Sequence, residues 1–366
     1  MVKKHRCSLC GNGLPATPIL TLDNMPSSAQ EFLTNKNQKT EPITLDIYKC
    51  LNCGLIQHKF KPVSYYKKVI TAAGLSEATL KFRESKLKEL IYQHNILGSV
   101  LDIGSGDGKM LNVLRNLYLV DVYGLEFGSK KAIPDYILDF ETTARFNLIV
   151  SYNYLEHLPK INKVVKKIYS LLTDCGIGYF TVPNVDYLLD TGSCHEFVRD
   201  HLNYFDVNSL RLLFETNGFE VLNTEIINNE NDIAITVRKR QHVDLSESLS
   251  GVFELAHEIK NTTDEYGDVA IFGAGHRTLA LLSIGKITDI KYIVDSYVSK
   301  QNKYTPVTKI PIYAPEHLLD YPVNLLIIAV PGIYSIDVIK KVKALGLKVK
   351  IGIIEHNKLK IQEDIC

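Results

Sequence analysis

Val100-Leu101-Asp102-Ile103-Gly104-Ser105-Gly106-Asp107-Gly108 is a short apolar run opening directly into a turn with glycine at every second position. It predicts a buried strand, and Lys109 to Leu117 predicts the helix that follows. Strand, glycine turn and helix form the first unit of a doubly wound α/β sheet, where ligands bind beyond the carboxyl ends of the strands. The turn also discriminates among ligands. Its spacing is G-x-G-x-G, not the G-x-G-x-x-G of a dinucleotide fingerprint. Asp102, two residues before Gly104, would repel a pyrophosphate but could pair with the ammonium of a methionine moiety.

Working outward, Leu80, Leu87, Leu90 and Ile91 recur at near-helical spacing and predict a helix over residues 77–94. Glu126 closes the apolar stretch Val120–Leu125, at the distance from the glycine turn where an acid accepts hydrogen bonds from ribose hydroxyls. Asp139 and Phe140 follow the apolar run Tyr136 to Leu138 and could hold an adenine between carboxylate and ring. Phe146 to Ser151 predicts the next strand, with Tyr152 to His157 as its loop.

Near the start of the chain, Cys7-x2-Cys10 and Cys50-x2-Cys53 are each followed by glycine, Gly11 and Gly54. A two-residue spacer lets both thiolates converge on one ion, and the glycine supplies the permissive backbone of the turn. Two such pairs predict a closed, tetrahedral, structural Zn2+ site, without which the polar segment between them could hardly fold. His5 and His58 are nearby substitute ligands, read here as surface residues.

Ser246–Lys260 carries Leu249, Val252, Phe253, Ala256 and Ile259 on one face and predicts a helix bridging two domains. Val269 to Phe272 then leads into Gly273-Ala274-Gly275 and a helix from Thr278. Tyr292 to Asp295, Leu325 to Val330 and Val349 to Ile354 read as further strands of a second Rossmann-like half. Its third glycine is missing, and Arg277 near that position suits a phosphate or diphosphate at a helix N-terminus. The expected domains are therefore a zinc module over 1–61, a nucleotide-fold domain over 62–240, a linker helix over 241–262 and a second Rossmann-like domain over 263–366.

Composition narrows the class. The chain has 366 residues, 45% hydrophobic and 23% charged, as expected of a globular protein with several domains. A net charge of +1 argues against a large nucleic-acid footprint. No apolar run is long enough for a membrane span, and Met1 to Arg6 runs into Cys7 without the apolar core of a signal peptide. Cysteines in tight pairs suit a reducing compartment, which places the protein in the cytoplasm.

Residues 99–221, with V-L-D-I-G-S-G-D-G, Glu126 and the N-L-I-V-S…L-E-H-L stretch in order, resemble the class I S-adenosylmethionine-dependent methyltransferases. The whole order of modules is similar to the sugar C-methyltransferases that act on nucleotide-linked keto-deoxysugars. This second resemblance includes Gly273 to Gly275, Val294-Asp295, Lys300-Gln301 and Thr308 to Ile312. It implies a sugar nucleotide lying between the methyltransferase and C-terminal domains. It also implies that Asn153 and His157 face the sugar, and that Asp200-His201-Leu202-Asn203-Tyr204-Phe205 carries the acid/base group. The segment departs from the family's Glu-His-x-x-Tyr-Phe: the glutamate is Asp200, and an expected tyrosine falls on Val198. His195 and Glu196, just upstream, could supply a displaced acid/base pair that touches the substrate.

Attack by carbon requires removal of a proton alpha to a carbonyl and stabilisation of the enolate. Histidine suits the first task at neutral pH. The expectation is therefore His201 as base, Asp200 orienting it, and His157 or Tyr204 on the enolate oxygen. Three other readings compete. One is an RNA methyltransferase gripping its substrate with Lys3, Lys4, Arg6, Lys49 and Lys59. The others are a small-molecule O- or N-methyltransferase, and a non-catalytic scaffold that binds a sugar nucleotide.

Overall fold

The structure is a computed structural model that describes residues 5–30, 32–66, 75–117, 121–126, 132–241 and 243–362. Lys3, Lys4 and Val120 lie outside the described residues. The chain divides into two compact units, Met1–Gln241 and His242–Cys366.

The first unit opens with strands β1 (Leu20–Met25), β2 (Ile43–Lys49) and β3 (Ile56–His58). Helix α1 (Glu77–His94) follows, its first turn capped by the Ser76 hydroxyl accepting from the Thr79 N–H. Then come β4 (Val100–Ile103), α2 (Lys109–Leu117), β5 (Val122–Leu125), β6 (Phe146–Tyr152), α3 (Ile161–Leu171) and β7 (Leu172–Pro183). The unit ends with α4 (Val185–Asp190), β8 (Asn203–Tyr204), α5 (Val207–Glu215), β9 (Phe219–Ile227) and β10 (Asp232–Lys239). Six strands form one sheet in the order β5-β4-β6-β7-β10-β9. β5, β4, β6 and β7 are parallel, while β10 runs antiparallel to both its neighbours.

All four residues of β4 are buried, because helices cover both faces of the sheet. The period-two alternation of a strand sends them to opposite layers. Leu101 and Ile103 join the core on the α3–α5 side, and Val100 packs with Leu87 and Leu90 of α1. The apolar run Tyr136 to Leu138 forms a turn rather than a strand.

The cysteine segment is not a separate bead. Cys7, Leu9, Cys50 and Leu55 belong to the same apolar cluster as Leu101, Ile103, Val164 and Phe205. Its sheet, β1-β2-β3-β8, is completed by β8, a strand supplied from residues 203 and 204, through the pairs Ile56–Tyr204 and Gln57–Asn203. His58 is buried, not on the surface, with Nε2 on the Arg199 carbonyl at 3.1 Å and Nδ1 accepting from the Phe60 N–H.

The second unit contains α6 (Ser246–Tyr266), β11 (Val269–Phe272), α7 (His276–Ile284), β12 (Tyr292–Val294), β13 (Lys303–Tyr304) and β14 (Pro311–Tyr313). It continues through α8 (His317–Asp320), β15 (Leu325–Ile328), α9 (Gly332–Ala344), β16 (Lys350–Glu355) and β17 (Lys358–Gln362). The strand order is β13-β14-β12-β11-β15-β16-β17, with a parallel centre and two antiparallel edges. The helix expected as a bridge is part of this unit: α6 buries Leu255, Ala256 and Ile259 in its core, while Leu249 and Phe253 stay exposed. Among the described residues no helix is long and apolar enough to cross a membrane.

Candidate active site

A cleft of about 640 Å³ lies at the carboxyl end of the parallel strands of the first unit. The loops after β4, β5 and β6 contribute Gly104 and Gly106, Glu126, and Asn153, Tyr154, Glu156 and His157 respectively, and the end of β7 contributes Pro183. Gly104 has φ +78°, and a Cβ there would sit 2.7 Å from the Tyr154 ring, so only glycine fits this turn. Gly106 and Gly108 also have positive φ. The Gly106 N–H donates to Glu126 Oε2 at 3.0 Å, which ties the acid after β5 to the turn after β4. Burial raises the Glu126 carboxyl above its ordinary range, and the Gly106 N–H works against that.

Asp102 lies wholly inside the protein, and neither carboxylate oxygen has a hydrogen-bond partner among the described residues. Burial pushes it up to about 7, against the pull of Arg83 and with a contribution from Glu126. A buried carboxylate left unpaired is costly and marks a place where a ligand completes the site. An ammonium group fits the chemistry of this unpaired carboxylate. Asp139 and Phe140 are not part of the cleft among the described residues: Asp139 is exposed and Phe140 is packed into the core. With Tyr136 to Leu138 coiled into a turn, neither the Asp139 carboxylate nor the Phe140 ring lines this cleft among the described residues.

The other end of the cleft is histidine-rich. His157 and His201 meet with Glu156, and one ligand-type atom from each lies within 4.8 Å of the others. Leu155–His157 forms a single 3-10 turn. It is joined to the 200–202 segment by two hydrogen bonds, His157 Nδ1 to the Asp200 carbonyl at 3.1 Å and Leu202 N–H to the Glu156 carbonyl at 2.8 Å. A carbonyl only accepts, so Nδ1 carries the proton and Nε2 presents a lone pair, 3.7 Å from Glu156 Oε1. Burial lowers His157 to about 4; burial, then the neighbouring His157 and His58, lowers His201 to about 3. Both rings are neutral at pH 7. Glu156, fully buried with Oε2 lacking a partner among the described residues, is raised to about 8 by burial and holds its proton at pH 7.

Two expected roles are corrected by this geometry. The Asp200 carboxylate does not orient His201; it accepts from the Ala29 N–H at 2.8 Å and from the Tyr65 hydroxyl. The Tyr204 hydroxyl is not directed at substrate. It donates to the Val198 carbonyl and accepts from the Val198 N–H, closing the 198–204 loop, and the ring is buried outside the cleft lining. His157, proton on Nδ1, cannot donate from Nε2 to an enolate; Glu156, which sequence reasoning quoted but gave no role, is the neutral acid available there. Asn153 lines the cleft at φ +48°, but its amide is engaged by Asp232 and Thr181. His195 and Glu196 lie exposed at the rim.

The four cysteine Sγ atoms lie within 4.8 Å of one another, with Cys7–Cys53 and Cys10–Cys50 each 3.5 Å apart. A tetrahedron with Zn–S bonds of about 2.3 Å has edges of about 3.8 Å, so four thiolates fit one ion. The two turns are alike: Gly11 N–H donates to the Cys7 carbonyl and Gly54 N–H to the Cys50 carbonyl, with φ of +74° and +80°. Gln57 supports the cluster by donating to Cys7 Sγ at 3.2 Å while accepting from the Ser8 N–H.

In the second unit another cleft of about 640 Å³ lies beyond β11 and β15, where the strand order reverses. Arg277 and Thr278 of α7 line it. Asp295, at the end of β12, does not face this cleft: its carboxylate accepts from Lys300, Tyr297 N–H and Ala274 N–H. Burial would raise it, but those donors, Lys300 foremost, hold it below the usual range.

A methyltransferase-domain family model matches residues 72–224, and a C-methyltransferase C-terminal domain model matches residues 226–345. The chain belongs to the S-adenosylmethionine-dependent C-methyltransferases. C-methyltransferase NovU of Streptomyces niveus is 24% identical over 339 residues, covering 76% of this chain and 79% of that protein. Among solved structures, an S-adenosylmethionine-dependent methyltransferase from Clostridium acetobutylicum ATCC 824 is 12% identical with a TM-score of 0.38, covering 44% of this chain and 92% of its own. The N-methyltransferase NodS from Bradyrhizobium japonicum WM9, in complex with S-adenosyl-L-homocysteine, is 14% identical with a TM-score of 0.36, covering 44% and 87%. The parallel sheet with its glycine turn after β4 is the class I, Rossmann-like methyltransferase fold.

Proposed function

We propose that this C-methyltransferase methylates a carbon alpha to the carbonyl of a nucleotide-linked keto-deoxysugar, through an enolate. The observation that carries the reading is one cleft lined at one end by the Gly104–Gly106 turn and at the other by Glu156, His157 and His201. S-adenosylmethionine supplies an electrophilic methyl group on a sulfonium, held by Asp102, the glycine turn and Glu126. His201 takes the alpha proton; the C–H electron pair becomes the enolate, and its carbon bonds the methyl as the C–S pair returns to sulfur. Glu156 donates a hydrogen bond to the enolate oxygen, and His157 holds Glu156 and the 200–202 segment in place. His195 and Glu196 meet the sugar at the rim.

Arg277, on the second unit's cleft, is the chemistry a diphosphate requires and supports a nucleotide-linked substrate. Arg6 turns onto the Gly11 carbonyl, and Lys59 onto the Pro15 carbonyl and the Tyr48 ring, which weighs against the reading of an RNA grip. Cys7, Cys10, Cys50 and Cys53 hold a structural Zn2+ in a reducing, cytoplasmic setting. The domain reading that goes with this is a zinc module over 1–61 built into the methyltransferase domain. The deciding experiment incubates the protein with methyl-labelled S-adenosylmethionine and a panel of nucleotide-linked keto-sugars, and locates the methyl by NMR. A new C–CH3 next to the carbonyl is expected; a methyl on oxygen or nitrogen would overturn the proposal.

A further inference from the structure

Among the described residues Arg83 is a cation with no anion bound to it. It sits on α1 one turn after Thr79, and both line the cleft that Asp102 lines. Its guanidinium lies over the Tyr152 ring, 4.1 Å from the centroid. Tyr152 is packed in the core cluster beneath α1, so the stack fixes where the charge points. Among the described residues it makes no ion pair. The carboxylates whose field it feels are Asp102 and Asp232. Asp232 is already engaged by Asn153 and Asn228. Asp102 has no hydrogen-bond partner on either oxygen, yet the two do not pair with each other.

The backbone explains the arrangement. Asp102 shares its side of β4 with Val100, which packs against Leu87 and Leu90 of α1. The same layer therefore brings an unpaired carboxylate from the strand and an unpaired guanidinium from the helix to one end of one cleft. Partly buried charges of this kind ordinarily find partners. A ligand that carries both an ammonium and a carboxylate on adjacent atoms would satisfy the two at once.

We infer that Arg83 binds the carboxylate of the methyl donor's amino-acid end while Asp102 takes its ammonium, so the two residues form a clamp for a zwitterion. The inference rests on S-adenosylmethionine as donor and adds the residue that reads its carboxyl group. A guanidinium matches a carboxylate with two parallel N–H donors, which also fixes the rotation of the amino-acid chain and hence the direction of the sulfonium methyl.

The test uses the full chain and three ligands in isothermal titration: S-adenosylhomocysteine, its decarboxylated analogue with a 3-aminopropyl chain, and 5′-methylthioadenosine. The wild type is expected to bind the decarboxylated analogue about 10- to 100-fold more weakly than S-adenosylhomocysteine, the range for a hydrogen bond to a charged group. Arg83→Met, which keeps an apolar chain over Tyr152, should weaken S-adenosylhomocysteine by about the same factor and leave the decarboxylated analogue within about twofold. Arg83→Lys should fall between. Equal weakening of both ligands by Arg83→Met would make Arg83 a packing residue and overturn the inference. So would equal affinities for the two ligands in the wild type, a result that needs no variant to fold. If the wild type binds none of the three, the donor assignment falls as well, an outcome distinct from loss of carboxylate discrimination.

Discussion

The imidazole rings of His157 and His201 meet edge to face, with centroids 4.6 Å apart and planes at 81°. In the free protein, protonating either ring would place a buried cation against its neighbour, so His201 can take the proposed alpha proton only beside the enolate whose negative charge offsets it. Burial and then His157 hold His201 at about 3, well below the ordinary value of about 6.5. Its ring resonances should therefore stay unchanged in an NMR titration from about pH 5 to 8. A midpoint near 6.5 would show that the two rings are apart in solution.

Proton abstraction can be followed separately from methyl transfer. With S-adenosylhomocysteine in place of the donor, the wild type should exchange the keto-sugar's alpha proton into deuterated water. His201→Asn should lose exchange and methylation by about 100- to 10,000-fold, the usual worth of a general base, while its affinity for S-adenosylhomocysteine stays. Retained exchange in this variant, with loss in His195→Asn, would move the base to the rim.

Glu156 gives a stability signature with a definite sign. Its folded pKa of about 8 lies above the unfolded value near 4.3, so the folded chain binds the extra proton between those limits. The associated stability is fully present below about pH 4 and is lost as pH rises through about 8. Glu156→Gln removes the titration but keeps the shape. Its thermal midpoint relative to wild type should climb from pH 5 and level off above about 8. Parallel curves for the two proteins would mean the carboxyl is ionised throughout.

Donor affinity should depend on pH through Asp102, held at about 7 in the free protein chiefly by burial. The ligand's ammonium needs the ionised form, so the Kd for S-adenosylhomocysteine should rise as pH falls through about 7. Asp102→Asn should bind more weakly and flatten this dependence. Asp102→Ala and Glu126→Ala should each cost about 1.5–3 kcal/mol.

Metal analysis should find about one Zn2+ per chain, and Cys50→Ser should lower that content. Because the cysteines share a core with Leu101 and Phe205, losing the metal should reduce the stability of the whole first unit. Unchanged zinc content in Cys50→Ser would end the four-cysteine reading.

The parts of this protein that declare themselves locally could be read from its sequence. The run through Asp102 to Gly108 carries its own strand, turn and ligand preference, and each cysteine pair carries its own turn. What escaped reading depends on contacts between distant segments. Nothing near Tyr204 announces that its hydroxyl closes a loop on Val198. Nothing near Asp200 announces Tyr65 or Ala29 as partners. Arg83 looks like any charged residue on an amphipathic helix until the strand bearing Asp102 is placed beneath it. His58 was misread for the same reason, since its buried partner is Arg199.

β8 has a consequence for the order in which the chain can be made. Residues 203 and 204 lie two and three positions past His201 and hydrogen-bond to β3, while Ser8 Oγ donates to Asn203. The amino-terminal sheet leaves the ribosome early but lacks its last strand until most of the first unit has been synthesised. A chain stalled before that point would hold cysteines with an unfinished sheet around them, and no base. The strand that completes this earlier-made sheet is the same one that anchors the loop of the proposed base, so sheet and loop are completed together.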